Sequence, residues 1–388
     1  MKRFLKLLGI VALLLLTNAA TFFVASGGWV TLPRDRFDQI AALENFVRQN
    51  HLYDVTDEQL RIGELKGVVA SLGDPYSEYY TKEEFEQLLE TTTGKFYGIG
   101  VVITKGEDNL ITVISPVKGS PAYEAGIRSG DKIIKVNGED YTADQLEEAS
   151  DVMKGDRGTT VNVTVLRPQT NDTMDLDIAR DEIQMDTVLP GTVDGVSYIG
   201  ISQFDELTAD SFKKALGSVS SDGFILDLRG NPGGVVDTAA EIADMLLGQG
   251  IIVYAEGRDG KRDFEFNSDA AQYDKPMVVL IDEGSASASE LLAGALKDHD
   301  RAKLVGTKSF GKGIVQAARR LPNGDGLKLT TSEYFLPNGE TIHKKGIEPD
   351  VVVERGAEVK GLGIDYYDED VQLQKAVELL KEEINAQK

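Results

Sequence analysis

The sequence predicts an α/β core that carries an inserted, mostly β module and follows an N-terminal helical segment. Three patterns carry this. Apolar residues recur at spacings of three and four between Arg34 and about Thr93. Glycine-punctuated, alternating runs fill residues 93–180. From about Thr187, short Val/Leu/Ile runs alternate with helix-period stretches, the pattern of strands covered by helices. The 388 residues suffice for two or three domains with full cores. The expected ranges are 1–33 for a targeting or anchoring segment, 34–92 for the helical region, 93–180 for the module, 181–358 for the core and 359–388 for a terminal helix.

Composition removes several classes of function. Lys and Arg number 41 against 64 Asp and Glu, a net charge of −23, so a basic nucleic-acid footprint is absent and no nucleic-acid partner is expected. The chain has no cysteine, which excludes disulfides, thiolate nucleophiles and cysteine-bound zinc. It has no His-Glu-x-x-His either, and no metal or other cofactor is expected.

Lys2, Arg3 and Lys6 precede an uncharged run from Leu7 to Pro33. This is a secretory signal or, being longer than the roughly 20 residues a bilayer needs, a signal anchor. Ala19, Ala25 and Ser26 offer small-residue cleavage positions. The expectation is an uncleaved anchor in the cell membrane with the rest of the chain outside the cytoplasm; cleavage would make the protein secreted. Phe37, Ile40, Leu43, Phe46 and Val47 then mark one helix, Leu60, Leu65, Val68 and Val69 a second, and Phe85, Leu88 and Leu89 a third. Gly73-Asp74-Pro75 is a turn.

In the module, Phe96–Ile103 and Leu110–Ile114 read as strands, and Ser120–Ile127 as a short helix closed by Gly126. Gly130–Gly138 is a strand ending in an Asn-Gly turn, Ala143–Met153 a helix, and Thr160–Leu166 and Met174–Ile178 further strands. The series Ser-Pro-Ala, Ala-Gly-Ile, Gly-Asp-Lys-Ile, Val-Asn-Gly closely resembles a PDZ domain. That resemblance implies a peptide C-terminus added as an edge strand, its carboxylate held by backbone N–H groups of Tyr97-Gly98-Ile99-Gly100.

In the core, Val196–Ile201 and Gly223–Leu228 are strands around the helix Ala209–Leu216. The second strand runs into Arg229-Gly230-Asn231-Pro232-Gly233-Gly234 and then a helix marked by Val235, Ala239, Ile242 and Leu246. Taken alone, this glycine turn is a tight turn or an anion site, and no P-loop lysine follows it. Met277–Ile281 is a buried strand, followed by Gly284-Ser285-Ala286-Ser287-Ala288-Ser289-Glu290 and a helix. Ser287 and Glu290 fit a capping box. A serine at this strand-to-helix turn also sits beside unpaired helix N–H groups, the setting an oxyanion requires. Ala302–Gly306 is the next strand and leads to Phe310-Gly311-Lys312-Gly313 and Gln316. Asn323-Gly324 and Asn338-Gly339 are hairpin turns, and Val371, Leu373, Val377, Leu379 and Leu380 mark the terminal helix, read as a dimer contact or a plain surface helix.

Together these pieces resemble the carboxyl-terminal processing proteases, tail-specific serine–lysine peptidases. Leu72-Gly73-Asp74-Pro75 with Ser77, and Gly346-Ile347-Glu348-Pro349-Asp350, match as well. The resemblance implies an α/β protease core of the crotonase-like superhelix type. It assigns Ser287 as nucleophile, Lys312 as general base and Gln316 as the residue orienting it, with Gly233 and Ala288 as oxyanion donors. It further implies an N-terminal dimerisation region, hence a homodimer, and protein or peptide substrates with accessible C-terminal tails. The chemistry agrees: a serine needs a base, and none of His51, His299 and His343 has the surroundings of a triad histidine. A desolvated lysine serves instead. Ser285 and Ser289 remain alternative nucleophiles. Two other functions stand beside the protease: a PDZ adaptor with a silent protease fold, and an acyl-transferring or hydrating crotonase-like enzyme.

Overall fold

The computed structural model describes residues 35–93, 95–106, 108–184, 186–269, 271–356 and 361–388. The expected signal or anchor lies outside these residues. Among them, no helix is long and apolar enough to cross a membrane. The chain divides into two compact units, residues 1–75 and 76–388.

The first unit holds helices α1 (Arg36–Asn50) and α2 (Asp57–Ala70). Asp35 caps α1 by accepting from the Phe37 N–H at 2.9 Å. Thr56 and Gln59 form a reciprocal capping box on α2. No residue of α1 is buried, and Phe37, Leu43, Leu52 and Tyr53 are exposed.

The second unit opens with β1 (Glu78–Tyr80) and α3 (Lys82–Thr93). The inserted module follows: β2 (Lys95–Gly98), β3 (Val101–Lys105), β4 (Ile111–Pro116), α4 (Pro121–Glu124), β5 (Lys132–Val136), β6 (Glu139–Asp140), α5 (Leu146–Met153), β7 (Thr160–Arg167), β8 (Asp172–Ala179) and β9 (Asp181–Gln184). Its sheet runs β3-β4-β5-β7-β8 with β6 on β5, so β3 is an edge strand. Asn137 and Gly138 both have positive φ (52° and 83°), as the tight turn between β5 and β6 requires. Strands β2 and β9 pair with each other, Tyr97 opposite Glu182 and Gly98 opposite Asp181, so the module leaves the core and returns to it as one two-stranded ribbon.

The core comprises β10 (Val188–Val193), β11 (Val196–Ile201), α6 (Thr208–Gly217), β12 (Phe224–Asp227), α7 (Val236–Leu246), β13 (Gly250–Gly257), β14 (Arg262–Ser268), β15 (Met277–Ile281), α8 (Ala288–Asp298), β16 (Lys303–Gly306), β17 (Ile314–Arg320), β18 (Gly326–Phe335), β19 (Val351–Val352) and α9 (Val371–Gln387). The main sheet has the order β10-β11-β12-β15-β16-β19, parallel except for β10. Residues alternate across it. Ile199, Leu226, Val279 and Leu304 face α6, α7 and α8. Tyr198, Ile225, Val278 and Leu280 face Leu373, Ala376, Val377 and Leu380 of α9. Both faces are covered, which is why these strands read as unbroken apolar runs. The apolar face of α9 is therefore buried within this chain and its opposite face is exposed, so α9 is an amphipathic surface helix and that apolar face is not free for a dimer contact. A second sheet, β1-β18-β13-β14 with β17 on β18, carries residues 314–320 in a strand. The β13–β14 hairpin was not foreseen.

Candidate active site

Strand β15 ends at the carboxyl edge of the main sheet, and the chain turns sharply into α8. The outer two of the three serines in this turn are structural. Ser285 Oγ donates to the Leu228 carbonyl (2.8 Å) and accepts from the Asp282 N–H (3.0 Å). Ser289 Oγ donates to the Asn231 carbonyl (2.9 Å). Ser287 differs in its backbone, with φ +54° and ψ −117°. The capping residues Asp35, Thr56 and Ser120, by contrast, keep an extended backbone, with φ between −75° and −80°. Capping alone does not call for a left-handed serine, a conformation worth about 1–3 kcal/mol of strain. Such strain is a feature of sharp nucleophile turns.

Glu290 holds this turn to the lysine loop. Its side chain is fully buried. One carboxylate oxygen accepts from the Ser287 N–H (2.9 Å) and the Lys312 N–H (2.8 Å). The other accepts from Ser309 Oγ (2.6 Å) and the Gly311 N–H (2.7 Å). The capping-box reading found the first of these bonds and missed the other three, because its partners lie 19–22 residues downstream. Glycines allow the loop its close path. Gly311 has φ +94°, and a side chain at Gly313 would come within 2.6 Å of the His343 backbone nitrogen.

Lys312 is half-buried, and its Nζ lies 5.0 Å from the centre of the Tyr76 ring. Burial, and after it the Lys328 charge, holds its ammonium below the ordinary lysine range. Among the described residues, Lys312 Nζ has no hydrogen-bonded or ion-paired partner, and no hydrogen bond joins it to Ser287 Oγ. Gln316 lies on β17, where its amide donates back to the Ile314 carbonyl at 3.0 Å. The structure thus joins the Ser287 and Lys312 backbones through one carboxylate and does not bring Gln316 onto Lys312.

Gly233 and Ala288 do meet at Ser287. A Cβ added to Gly233 would lie 2.8 Å from Ser287 Cβ and 3.0 Å from the Ala288 nitrogen, so only glycine fits there. The Gly233 N–H, however, donates to Asn231 Oδ1 at 2.9 Å. It is engaged there rather than free.

A buried network the sequence reading missed anchors the loop from behind. Arg229 donates to Asp227 (2.6 Å) and, through both terminal nitrogens, to Asp370 (2.8 Å each) and Gln372 (3.0 Å). Burial opposes the Asp370 charge, but Arg229 outweighs it and holds the carboxyl below its usual range. Tyr198 donates to Asp227 at 2.9 Å; burial, then the Asp227 charge, pushes its hydroxyl well above the usual tyrosine range.

The module offers a second site. A cavity of about 340 Å³ runs between edge strand β3 and α5, lined by Tyr97-Gly98-Ile99-Gly100 together with apolar side chains such as Val101, Ile103 and Met153. An open edge beside an apolar groove is a place for an added strand. Gln203, from the core loop after β11, lines the same cavity.

Peptidase family S41 matches residues 195–353, and a PDZ domain matches residues 112–167. The chain is 38% identical over 328 residues to a carboxy-terminal-processing protease of Bartonella bacilliformis, covering 82% of this chain and 75% of that protein. It is 35% identical over 366 residues to the carboxy-terminal processing protease CtpA of Bacillus subtilis, covering 91% and 78%. Among solved structures it resembles the photosystem II D1 C-terminal processing protease, at 27% identity and a TM-score of 0.50 over 84% of this chain and 89% of that one.

Proposed function

The chain belongs to the carboxy-terminal processing proteases, serine-type peptidases of family S41 with a PDZ domain, and from that premise we propose that Ser287 is its nucleophile and Lys312 its general base. One observation carries the reading: a single buried carboxylate, Glu290, binds the backbone N–H groups of both residues.

Neutral Lys312 takes the Ser287 proton as Oγ attacks the scissile carbonyl carbon. The resulting oxyanion is held by the Ala288 N–H, and by the Gly233 N–H once that leaves Asn231. The Lys312 ammonium returns its proton to the departing amine as the C–N bond breaks, leaving Ser287 acylated. Lys312 then deprotonates a water, which attacks the ester carbonyl carbon, and the ammonium returns that proton to Ser287 Oγ as the C–O bond breaks, releasing the acid and regenerating serine and neutral lysine. Gln316 orients Lys312 after turning from the Ile314 carbonyl; catalytic hydrogen bonds of this kind tighten on substrate binding. The PDZ groove grips the substrate's C-terminal tail, with Tyr97-Gly98-Ile99-Gly100 on its carboxylate. The exposed apolar residues of α1 support a homodimer through the N-terminal region. The basic-then-apolar N-terminus supports an anchored, extracytoplasmic enzyme.

The test compares the wild type and Ser287→Ala, both starting at Arg34, on an unfolded protein with an apolar C-terminus, weighing the products by mass spectrometry. Cleavage by the wild type alone is expected. Cleavage by both would move the nucleophile to Ser285 or Ser289. Cleavage by neither, with tail binding retained, would favour the adaptor.

A further inference from the structure

We propose that Thr330 is a positioning residue that aims Lys312 at Ser287 by accepting a hydrogen bond from its Nζ. The inference rests on Lys312 being the base.

A neutral primary amine has two N–H groups and one lone pair. For Lys312 to take the Ser287 proton, the lone pair must face Oγ, so both N–H groups must be held elsewhere. Gln316 is the expected holder; in this structure its Nε2 donates to the Ile314 carbonyl and no hydrogen bond joins its Oε1 to Lys312, and that one oxygen can in any case hold only one of the two N–H groups in a single geometry. At least one acceptor is unaccounted for.

Thr330 supplies it. It lies on β18 directly opposite Gln316 on β17, and cross-strand partners share a face of the sheet. Its Oγ1 is buried and has no hydrogen-bond partner among the described residues. Buried hydroxyls are rarely left so, and an unpaired one calls for an explanation. Its surroundings are those of the base. The Thr330 N–H donates to Ser77 Oγ at 3.0 Å, and the preceding Tyr76 carries the ring beneath Lys312 Nζ. Lys328, two residues along the strand and so on the same face, acts on Lys312 through its charge. An amine that lies over the Tyr76 ring, with no hydrogen-bond acceptor among the described residues, and a hydroxyl without a partner thus share one half-buried region. Side-chain rotation must bring the two together for the bond to form.

The role predicts a signature that loosened packing does not share. An acceptor favours the charged lysine more than the neutral one, since an ammonium is the stronger donor. Removing it without opening the site lowers the pKa of Lys312. Letting water in would instead relieve its burial and raise that pKa.

Thr330→Val keeps the side-chain shape and removes the acceptor; Thr330→Ser keeps the acceptor. Both are compared with the wild type and Lys312→Ala in kcat and KM across pH, on one peptide substrate. Thr330→Val is expected to lower kcat on the order of tenfold with KM unchanged, as a misaimed catalytic group does. Its acid limb should move to lower pH, and Thr330→Ser should restore both. An unchanged kcat and limb in Thr330→Val would overturn the proposal. So would a limb moved to higher pH, or a serine variant as impaired as the valine. If Lys312→Ala stays active, the premise itself fails; if Lys312→Ala is dead while Thr330→Val behaves as wild type, only the role of Thr330 falls.

Discussion

Lys312 is held toward its neutral form by two forces of different kinds, burial first and the Lys328 charge second. Burial belongs to the loop, but the charge can be removed by itself. Lys328→Gln should let the Lys312 pKa rise toward the ordinary lysine range, with the effect of burial remaining. The acid limb of kcat/KM then moves to higher pH while the plateau stays, and below the limb activity falls about tenfold per pH unit. A limb that stays in place would mean that another group titrates. Glu290 is the other decisive residue. Its two oxygens accept four hydrogen bonds, and a glutamine would turn an NH₂ group toward two of those donors. Each buried donor left unsatisfied costs about 1–3 kcal/mol. Glu290→Gln should therefore cut kcat at least a hundredfold, with a lowered Tm and unchanged tail affinity in the PDZ groove; calorimetry beside a tail-binding titration would check this. Spacing alone makes Ser287 and Glu290 legible as a cap. It carries no trace of Ser309, Gly311 or Lys312 returning to the same carboxylate, because their closeness depends on where β16 delivers the chain. The left-handed backbone of Ser287 is equally invisible in a string of Ser and Ala.

At the scale of elements, α9 is fixed to β12 by charge as well as by packing. Asp370 caps the helix by accepting from the Leu373 N–H at 3.0 Å and clamps Arg229, 141 residues earlier in the chain. Removing one member of a buried pair costs about 3–5 kcal/mol, and the low end applies here because Asp227 still faces Arg229. The folded pKa of Asp370 is depressed, so the stability it contributes is present above its unfolded value of about 3.9. That stability is lost as pH falls through the lower folded value. Asp370→Asn should thus lower stability by about 3 kcal/mol at neutral pH, and the loss should shrink on acidification. Urea unfolding between pH 3 and pH 7 measures it; a loss independent of pH would assign the effect to packing. The strands of the main sheet were legible because both faces are buried and their apolar runs are unbroken. The role of α9 was not, since an amphipathic helix looks the same whether its stripe meets this sheet or another subunit. The β13–β14 hairpin also escaped reading: in β14, Arg262–Ser268, charged and aromatic residues are mixed.

In the whole molecule, the two sites meet at one loop. Gln203 lines the tail groove, and the next residue, Phe204, donates to the Gly233 carbonyl (2.9 Å) and accepts from the Val235 N–H (2.8 Å). Gly234 packs so tightly on Phe204 that a side chain there would collide with its carbonyl. A shift of the Gln203–Phe204 peptide is therefore transmitted to the Gly233–Gly234 peptide and, through Gly233, to the adjoining Pro232–Gly233 peptide, whose N–H is now held by Asn231. A tail that binds the groove and displaces Gln203 would bias that peptide toward the oxyanion position, and a ligand biases a two-state element only through such differential contact. Addition of a free tail peptide should then raise cleavage of a short substrate that cannot itself reach the groove. Gln203→Ala should bind the tail and lose the response. Removing the module should lose it too, and the β2–β9 ribbon makes that cut feasible. Gly98 and Asp181 are cross-strand partners, about 5 Å apart, so residues 99–180 can be replaced by a two-residue turn. Cleavage of long tail-bearing proteins should fall in the shortened chain, because the grip is gone as well as the signal. Equal stimulation of all three proteins by the tail would show that the tail acts outside the groove. No stimulation of the wild type would show that it only holds substrate.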